Sequence, residues 1–281
     1  MIKAIFDPYG GIFLALLFLI LFIAESKFEL RKRVQNRWKR IVTNFIVAIP
    51  AFLLLRLLFM PAMVWLALQN QHWNIGLNYM FEELPQVKLF TVFLLLDYSN
   101  YAWHILLHKL PILWRFHLVH HTDKDLDLTT AFRFHFGELI ASVVFRGTAV
   151  ILTGASPLMI LIYEIVFEAA TQFHHSNLKL NFRFEKLLNK VFVTPRMHGI
   201  HHSVVQEETD SNYSVIFSFW DKLHKTIRLN ISQEKITIGA AGYEDERRLT
   251  IGQLLKLPFT KIRDRKYSDI KSSDDFGNIK K

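Results

Sequence analysis

Residues 97–123 read DYSNYAWHILLHKLPILWRFHLVHHTD. An apolar segment that begins near Val87 runs into this stretch, so its first half reads as the end of a membrane helix returning to one face of the bilayer at about His108. At 100° per residue, Asp97, Tyr101, His104 and His108 fall within one narrow stripe of that helix. An Asp near a spanning stretch is costly unless paired, so by default it is a functional candidate. His104 and His108 are four apart, which lets both imidazoles reach one site. In HLVHH, spacings of three and four likewise align His117, His120 and His121. The stretch therefore reads as helices that carry metal-ligand side chains to the membrane surface.

The same pattern recurs downstream. HGIHH places His198, His201 and His202 at matching spacings, and Thr194-Pro195 before it is a helix start, with Thr as N-cap and Pro at the first helical position. His174-His175-Ser176-Asn177 stands between the two motifs. It falls at the end of residues 139–173, which are long enough for a helical hairpin turning at Gly154 to Pro157. Of thirteen histidines in the chain, twelve lie between His104 and His224.

The composition suits a membrane protein. Of 281 residues, 51% are apolar and 25 are Phe, yet 34 Lys and Arg stand against 25 Asp and Glu. An apolar chain with a positive balance fits loops that meet anionic lipid heads. Nucleic acid is not an expected partner, because the basic residues form no binding motif and are not interleaved with aromatics.

Residues 11–24 are an unbroken apolar run, and Pro8 to Ala24 nearly crosses a hydrocarbon core. A signal peptide fits poorly, since the positive charges follow the run. Lys27 to Arg40 holds seven Lys or Arg, which the positive-inside rule puts in the cytoplasm. This loop is first a topology signal, and secondarily a surface for an acidic electron donor. Residues 41–69 are mostly apolar, an apolar run interrupted by Pro50, Arg56 and Pro61, and read as one spanning helix, with residues 70–86 interfacial. Arg56 and Arg146 are the charges read as well inside the spans. KITIGA (235–240) reads as a short strand, Thr250 to Leu257 as a small amphipathic helix, and the tail from Lys261 as disordered. The expected fold is all-α: a polytopic membrane helical bundle with a cytoplasmic histidine-rich helical cap. Three regions follow: membrane helices and basic loop (1–89), a histidine-rich catalytic region with the membrane hairpin (90–224), and a C-terminal extension (225–281).

The chain has no cysteine, which excludes disulfides, iron–sulfur clusters and zinc–thiolate sites. Neutral imidazole suits iron, zinc, copper and nickel. One zinc needs three or four ligands, and the histidines here suffice for two ions. Asp97, Asp123 and Glu138 are the acids nearest to accept the other imidazole N–H. His135 is evenly placed between ligand and ligand partner. His72 reads as interfacial, His224 as structural, and the aromatics Tyr98, Tyr101, Trp103, Trp114 and Phe116 as packing.

These residues resemble the fatty acid hydroxylase superfamily, which includes sterol desaturases and lipid hydroxylases, and the chain looks like a bacterial-type member. The resemblance rests on DYSNYAWHILLH (97–108), FHLVHHTD (116–123), LTTAFRFHFGE (128–138), FHHSN (173–177), TPRMHGIHHS (194–203) and FWDKL (219–223), and GQLLKLPF (252–259) looks like the end of bacterial members. It implies a helical enzyme of the bacterial inner membrane with a two-iron centre facing the cytoplasm, zinc being a feasible substitute. It implies dioxygen, a membrane lipid substrate (an acyl chain or sterol-like molecule) to be hydroxylated or desaturated, and a separate electron donor such as a reductase, ferredoxin or cytochrome. The family's ligands carry over to His104, His108, His117, His120, His121, His198, His201 and His202. The motif before Ser-Asn points to His175, with His174 as alternative. His135, His174, Asp97, Asp123, Glu138 and Asn177 are then candidates for a ligand or a group bonded to one. The chain departs from the family at Ile105 (often Arg), Phe136 (often Pro) and Leu223 to Thr226 (often Phe-Gly-Thr). Two rivals use the same histidines, a membrane zinc hydrolase and a metal transporter. The absence of HExxH weighs against the first, and the collection of ionisable groups at one face weighs against the second.

Overall fold

The computed structural model describes residues 8–81, 84–245 and 249–263. Its secondary structure is helical, and among the described residues β-pairing is limited to three isolated bridges. The first helix, α1 (Pro8–Lys27), is apolar all round and leaves most of its side chains exposed, as a helix facing lipid should. Its one acid, Glu25, is fully buried.

Asn36 caps α2 (Arg37–Leu54) by accepting from the Lys39 N–H at 3.0 Å. The one spanning helix read over residues 41–69 lies within a continuous helical rod, although Pro50, Arg56 and Pro61 interrupt its apolar run. Pro50 sits inside α2, and a π-turn at Leu55–Phe59 passes the chain into α3 (Met60–Trp73). The wider turn accommodates the N–H that Pro61 lacks. At about 1.5 Å per residue the rod from Arg37 to Trp73 is roughly 55 Å long, far beyond a hydrocarbon core of roughly 30 Å. Its basic N-terminal turn therefore projects from the membrane.

Helix α4 (Pro85–Lys109) leads through Leu110 into α5 (Pro111–His121), with Pro111 at the first position of α5 ending α4. The expected hairpin is present as α6 (Phe136–Thr153) and α7 (Pro157–His175). Gly154 closes α6 at φ +68°, and Ser156 caps α7. A Cβ on Gly154 would lie 2.9 Å from the Ile75 carbonyl oxygen, so both backbone conformation and space require glycine there. Among the described residues, three helical stretches are long and apolar enough to cross a membrane: Tyr9–Lys27, Arg37–Met80 and Phe136–Thr153.

The main core joins α3, α4, α6 and α7 through Phe59, Met63, Leu96, Val150, Ile160 and Tyr163. At the hairpin's turn, Asn70 and Asn78 donate to the Val150 and Gly154 carbonyls. The other end of the bundle carries the short helices α8 (Phe182–Leu188), α9 (Pro195–His201), α10 (Gln206–Thr209), α11 (Phe219–Leu223) and α12 (Ile251–Lys256). Thr194 caps α9 and Pro195 opens it, as expected.

The KITIGA strand does not form. Ile238 makes one bridge to Ser203, because its neighbour there is the turn after α9 and offers no extended partner. The Thr250–Leu257 helix does form, with a capping box between Thr250 and Gln253. The tail expected to be disordered lies, beyond Arg263, outside the described residues.

The basic loop is only partly a surface feature. Arg31 and Arg40 are buried, and Glu25 pairs with Arg37 at 3.2 Å and Arg33 at 3.7 Å. The reading of charge within the membrane also needs correction. Glu164 and Glu168 lie inside α7, and Glu164 forms an ion pair with Arg146 of α6.

Candidate metal centre

The nine histidines expected as ligands come from four helices. Helix α4 supplies His104 and His108, α5 supplies His117, His120 and His121, α7 ends on His175, and α9 with its C-cap supplies His198, His201 and His202. All nine are buried. They form two groups. One nitrogen from each of His104, His108, His117, His121 and His201 lies within 4.8 Å of the others, and the same holds for His120, His175, His198 and His202. The groups adjoin, with the His121 ring stacked on His202 at 4.5 Å between centroids.

Each HxxHH motif serves both groups. His117 and His121, four apart, go to the first, while His120 turns to the second. In α9, His198 and His202 go to the second and His201 to the first. A spacing of four stacks two side chains one above the other, while the i+3 histidine beside them is turned by about 100° from its i+4 neighbour and so reaches the adjoining group.

Hydrogen bonds fix the rings. His104 Nδ1 lies 2.8 Å from the Tyr213 carbonyl, His201 Nδ1 2.7 Å from that of Ser211, and His175 Nδ1 2.8 Å from that of Thr171. A carbonyl only accepts, so each Nδ1 carries the proton and each neutral ring presents a bare Nε2 lone pair. His117 donates Nδ1–H to Glu138 at 3.1 Å. In the first group, the Nε2 atoms of His104, His117, His121 and His201 are buried and have no hydrogen-bond partner among the described residues. In the second, Nε2 of His175 is 3.0 Å from those of His120 and His198, and Nε2 of His198 is 3.1 Å from that of His202. Two nitrogens about 2.1 Å from one ion at right angles lie about 3 Å apart, so this convergence fits a shared cation.

Burial holds His120, His121, His198, His201 and His202 well below the usual imidazole range, and neighbouring imidazoles push the same way. The rings are thus neutral, the form that binds metal. Buried lone pairs, neutral rings and fixed tautomers together fit two N-ligated metal ions of the kind that imidazole takes.

The remaining candidates behave differently. His135 is not directed at either group. Its Nδ1 accepts from the Gly137 N–H at 3.0 Å and its Nε2 donates to the Leu255 carbonyl at 3.1 Å. His174 falls outside both groups. It donates to the Val215 carbonyl and packs 4.1 Å from the His198 ring. Of the three acids expected to orient ligands, Glu138 touches one. Asp97 instead accepts from the Trp220 indole at 2.7 Å and the Phe217 N–H at 3.3 Å. Asp123 is held by Arg40 at 2.7 Å, Asn44 at 3.0 Å and Thr130 at 2.9 Å. Its burial favours the neutral acid, but Arg40 and Arg133 outweigh this and lower its pKa. Asn177 braces the basic loop, with its side chain bonded to the Arg31 backbone N–H and carbonyl. His224 stacks on Tyr98 and Tyr101, and His72 is exposed.

Sequence reasoning missed several supports. Asp221 accepts the N–H groups of Tyr213 and Ser214, both at 2.9 Å, and so holds the Tyr213 carbonyl against His104. Its place in FWDKL was the available signal. Asp210 stands 3.6 Å from His108 Nδ1. Glu25 accepts from the backbone of Leu128 and Asn177, and a lone acid before arginines in an apolar run could have marked it.

Residues 89–226 match the family described as Fatty acid hydroxylase. The chain is 31% identical over 196 residues to "Alkylglycerol monooxygenase" of Danio rerio, covering 66% of this chain and 41% of that protein. It is 31% identical over 150 residues to "Ornithine lipid hydroxylase OlsE" of Rhizobium tropici, covering 52% and 43%. It is 26% identical over 176 residues to "Cholesterol 25-hydroxylase" of Rattus norvegicus, covering 60% and 58%. The chain thus spans about two fifths of the length of the first two and under two thirds of the third. No solved structure matches it.

Proposed function

This chain belongs to the fatty acid hydroxylase superfamily, and on that premise we propose that it is a membrane-bound oxygenase with two irons that hydroxylates a lipid. The observation that carries the proposal is the pairing of two adjoining groups of neutral, buried imidazoles. His104, His108, His117, His121 and His201 would hold one iron, and His120, His175, His198 and His202 the other. Bound irons would supply the activation of dioxygen and the capacity to break an unactivated C–H bond. The balance is one C–H bond, one dioxygen, two electrons and two protons giving one alcohol and one water. Hydroxylation is preferred to desaturation because the relatives above are named as monooxygenase or hydroxylases.

The protein's own contribution is placement and exclusion of water. Carbonyls of Tyr213, Thr171 and Ser211 and the Glu138 carboxylate lock four rings with Nε2 inward. Tyr243, Leu254 and Leu257 pack on Trp114 and Leu118, and Trp114 in turn packs on the His108 and His121 rings, with centroids 5.0 and 5.3 Å apart. A surface pocket lined by Trp114, His121, Ser203, Gln206, Tyr243 and Arg263 reaches the first group at His121. It is the approach we assign to a separate electron donor. The lipid would enter between the spanning helices from the bilayer. The positive-inside rule applied to the basic turn at Arg37 supports a cytoplasmic histidine end, and the resemblance to bacterial members supports an inner-membrane location.

Elemental analysis with a Mössbauer spectrum of detergent-purified protein, expressed with iron present, tests this reading. Two irons per chain as a coupled pair, with oxidised lipid formed on reduction in air, is the expected result. Stoichiometric zinc without oxygen consumption after iron reconstitution would overturn it in favour of a hydrolase.

A further inference from the structure

Between the hairpin and the histidine-bearing α9, residues 179–192 read KLNFRFEKLLNKVF. This segment exposes an unusual run of apolar side chains. Phe182 is 65% exposed, Phe184 55% and Leu187 61%, and Val191 and Phe192 are also exposed. Single exposed apolar residues are ordinary on a soluble surface, whereas a contiguous group of this kind marks something that covers it. Lys179, Arg183, Lys186 and Lys190 are interleaved with them and exposed. The segment's one acid, Glu185, is buried and paired with Arg196. Apart from Asn181, which caps α8, the exposed side chains are apolar or cationic, with no exposed acid among them.

The fold puts this segment at the level where membrane helices end. Helix α1 stops at Lys27, and Phe28, 61% exposed, follows it. The Phe28 carbonyl accepts from the Lys179 N–H at 2.7 Å, the Leu30 N–H donates to the Asn177 carbonyl at 2.8 Å, and Glu29 bridges Leu178. Helix α7, the return arm of the hairpin, ends at His175, four residues before Lys179. The chain thus leaves the bilayer and at once runs along this segment.

We propose that residues 179–192 form a platform lying in the headgroup layer, its occupant an anionic lipid surface. Phe182, Phe184, Leu187, Val191 and Phe192 reach the acyl boundary, and the four cations meet lipid phosphates, their stems lying along the apolar surface. The platform is tied to the candidate metal centre. Glu185 accepts from the Arg196 backbone N–H at 3.2 Å and from its Nε at 2.6 Å, and Arg196 lies over the Phe182 ring. Asn189 donates to Met197 Sδ at 3.0 Å. Arg196 and Met197 immediately precede His198, so seating the platform sets the depth at which α9 holds His198, His201 and His202.

The absence of cysteine allows a clean test. Phe184→Cys and Leu187→Cys, made separately in the full chain, are labelled with bimane and reconstituted in vesicles of phosphatidylcholine with phosphatidylglycerol. Gln206→Cys serves as a site away from the platform. Quenching by lipids with a shallow nitroxide is compared with quenching by aqueous iodide. The expected result is strong lipid quenching and weak iodide quenching at 184 and 187, with the reverse at 206. Iodide quenching at 184 and 187 without lipid quenching would overturn the proposal, and protection from both would overturn it in favour of a protein partner or a second copy. Nitroxide carried on phosphatidylglycerol should quench several-fold more than on phosphatidylcholine, and replacing Lys179, Arg183, Lys186 and Lys190 by Gln should abolish that difference. No difference before replacement, or an undiminished one after it, would overturn the anionic preference. None of these readouts needs metal or turnover, so they stand or fall separately from the oxygenase reading.

Discussion

His117 of α5 donates its Nδ1–H to Glu138 in the first turn of α6 at 3.1 Å. A carboxylate from another helix thus orients this ring at hydrogen-bond distance. The carboxylate fixes the tautomer and makes Nε2 a better donor to metal. Glu138→Ala should lower affinity for metal at the first group by about 10- to 100-fold, with Glu138→Gln intermediate because it keeps an acceptor. Metal retention against a graded chelator series checks this, and unchanged retention in Glu138→Ala would remove Glu138 from the site.

The partition of histidines makes a sharper prediction. His121 belongs to the first group and His202 to the second. His121→Ala and His202→Ala should each abolish lipid oxidation and each leave the opposite group able to bind, so that bound metal falls from two per chain toward one. Elemental analysis of each variant reads this directly. A double variant that kept both metals and full activity would refute the assignment.

How far the site could be read from sequence follows from what spacing encodes. Helical spacing marks which rings leave one helix on the same side, so the histidines themselves were legible. It does not say where that side points, so the division of HLVHH and HGIHH between two groups was not. Asp97 and Asp123 lie near ligands in the chain, yet their carboxylates face Trp220 and Arg40. Asp221, far from His104 in sequence, acts on it through the Tyr213 carbonyl. For the fold, Gly154 and Pro157 announced the hairpin because a turn needs their backbone chemistry. Pro50 interrupts the apolar run but not the helix, while the π-turn at Leu55–Phe59, which hydropathy does not encode, was not legible.

The depressed basicity of His120, His121, His198, His201 and His202 sets the pH response of the metal-free protein. An unfolded histidine titrates near 6.5, and these titrate well below it when folded. Below that value the unfolded chain binds more protons than the folded one, so stability falls as pH drops; above it, this contribution is constant. Thermal unfolding of metal-free protein between about pH 8 and about pH 5 should show a flat upper range and a falling Tm on the acid side. Bound metal should raise the Tm but leave the acid-side fall in place, because it keeps the folded rings unprotonated while the unfolded chain still takes up protons. A Tm that rose on acidification would contradict the neutral assignment.

Arg40 offers the clearest stability prediction. Its guanidinium is buried and bonds Asp123, Asp127, the Asp125 carbonyl and Thr130. It thereby ties the projecting end of α2 to the loop that follows α5, next to His121. Removing one partner of a buried pair leaves the other charge uncompensated, a loss of about 3–5 kcal/mol. Arg40→Ala should therefore destabilise strongly, and Arg40→Lys should recover only part, since an ammonium cannot span the same acceptors. By contrast Lys39→Ala, one residue away and exposed, should change stability by less than about 0.5 kcal/mol. Unfolding followed by circular dichroism in detergent compares the three. Equal stability of Arg40→Ala and Lys39→Ala would mean that the basic turn acts only as a topology signal and not as part of the frame around the histidines.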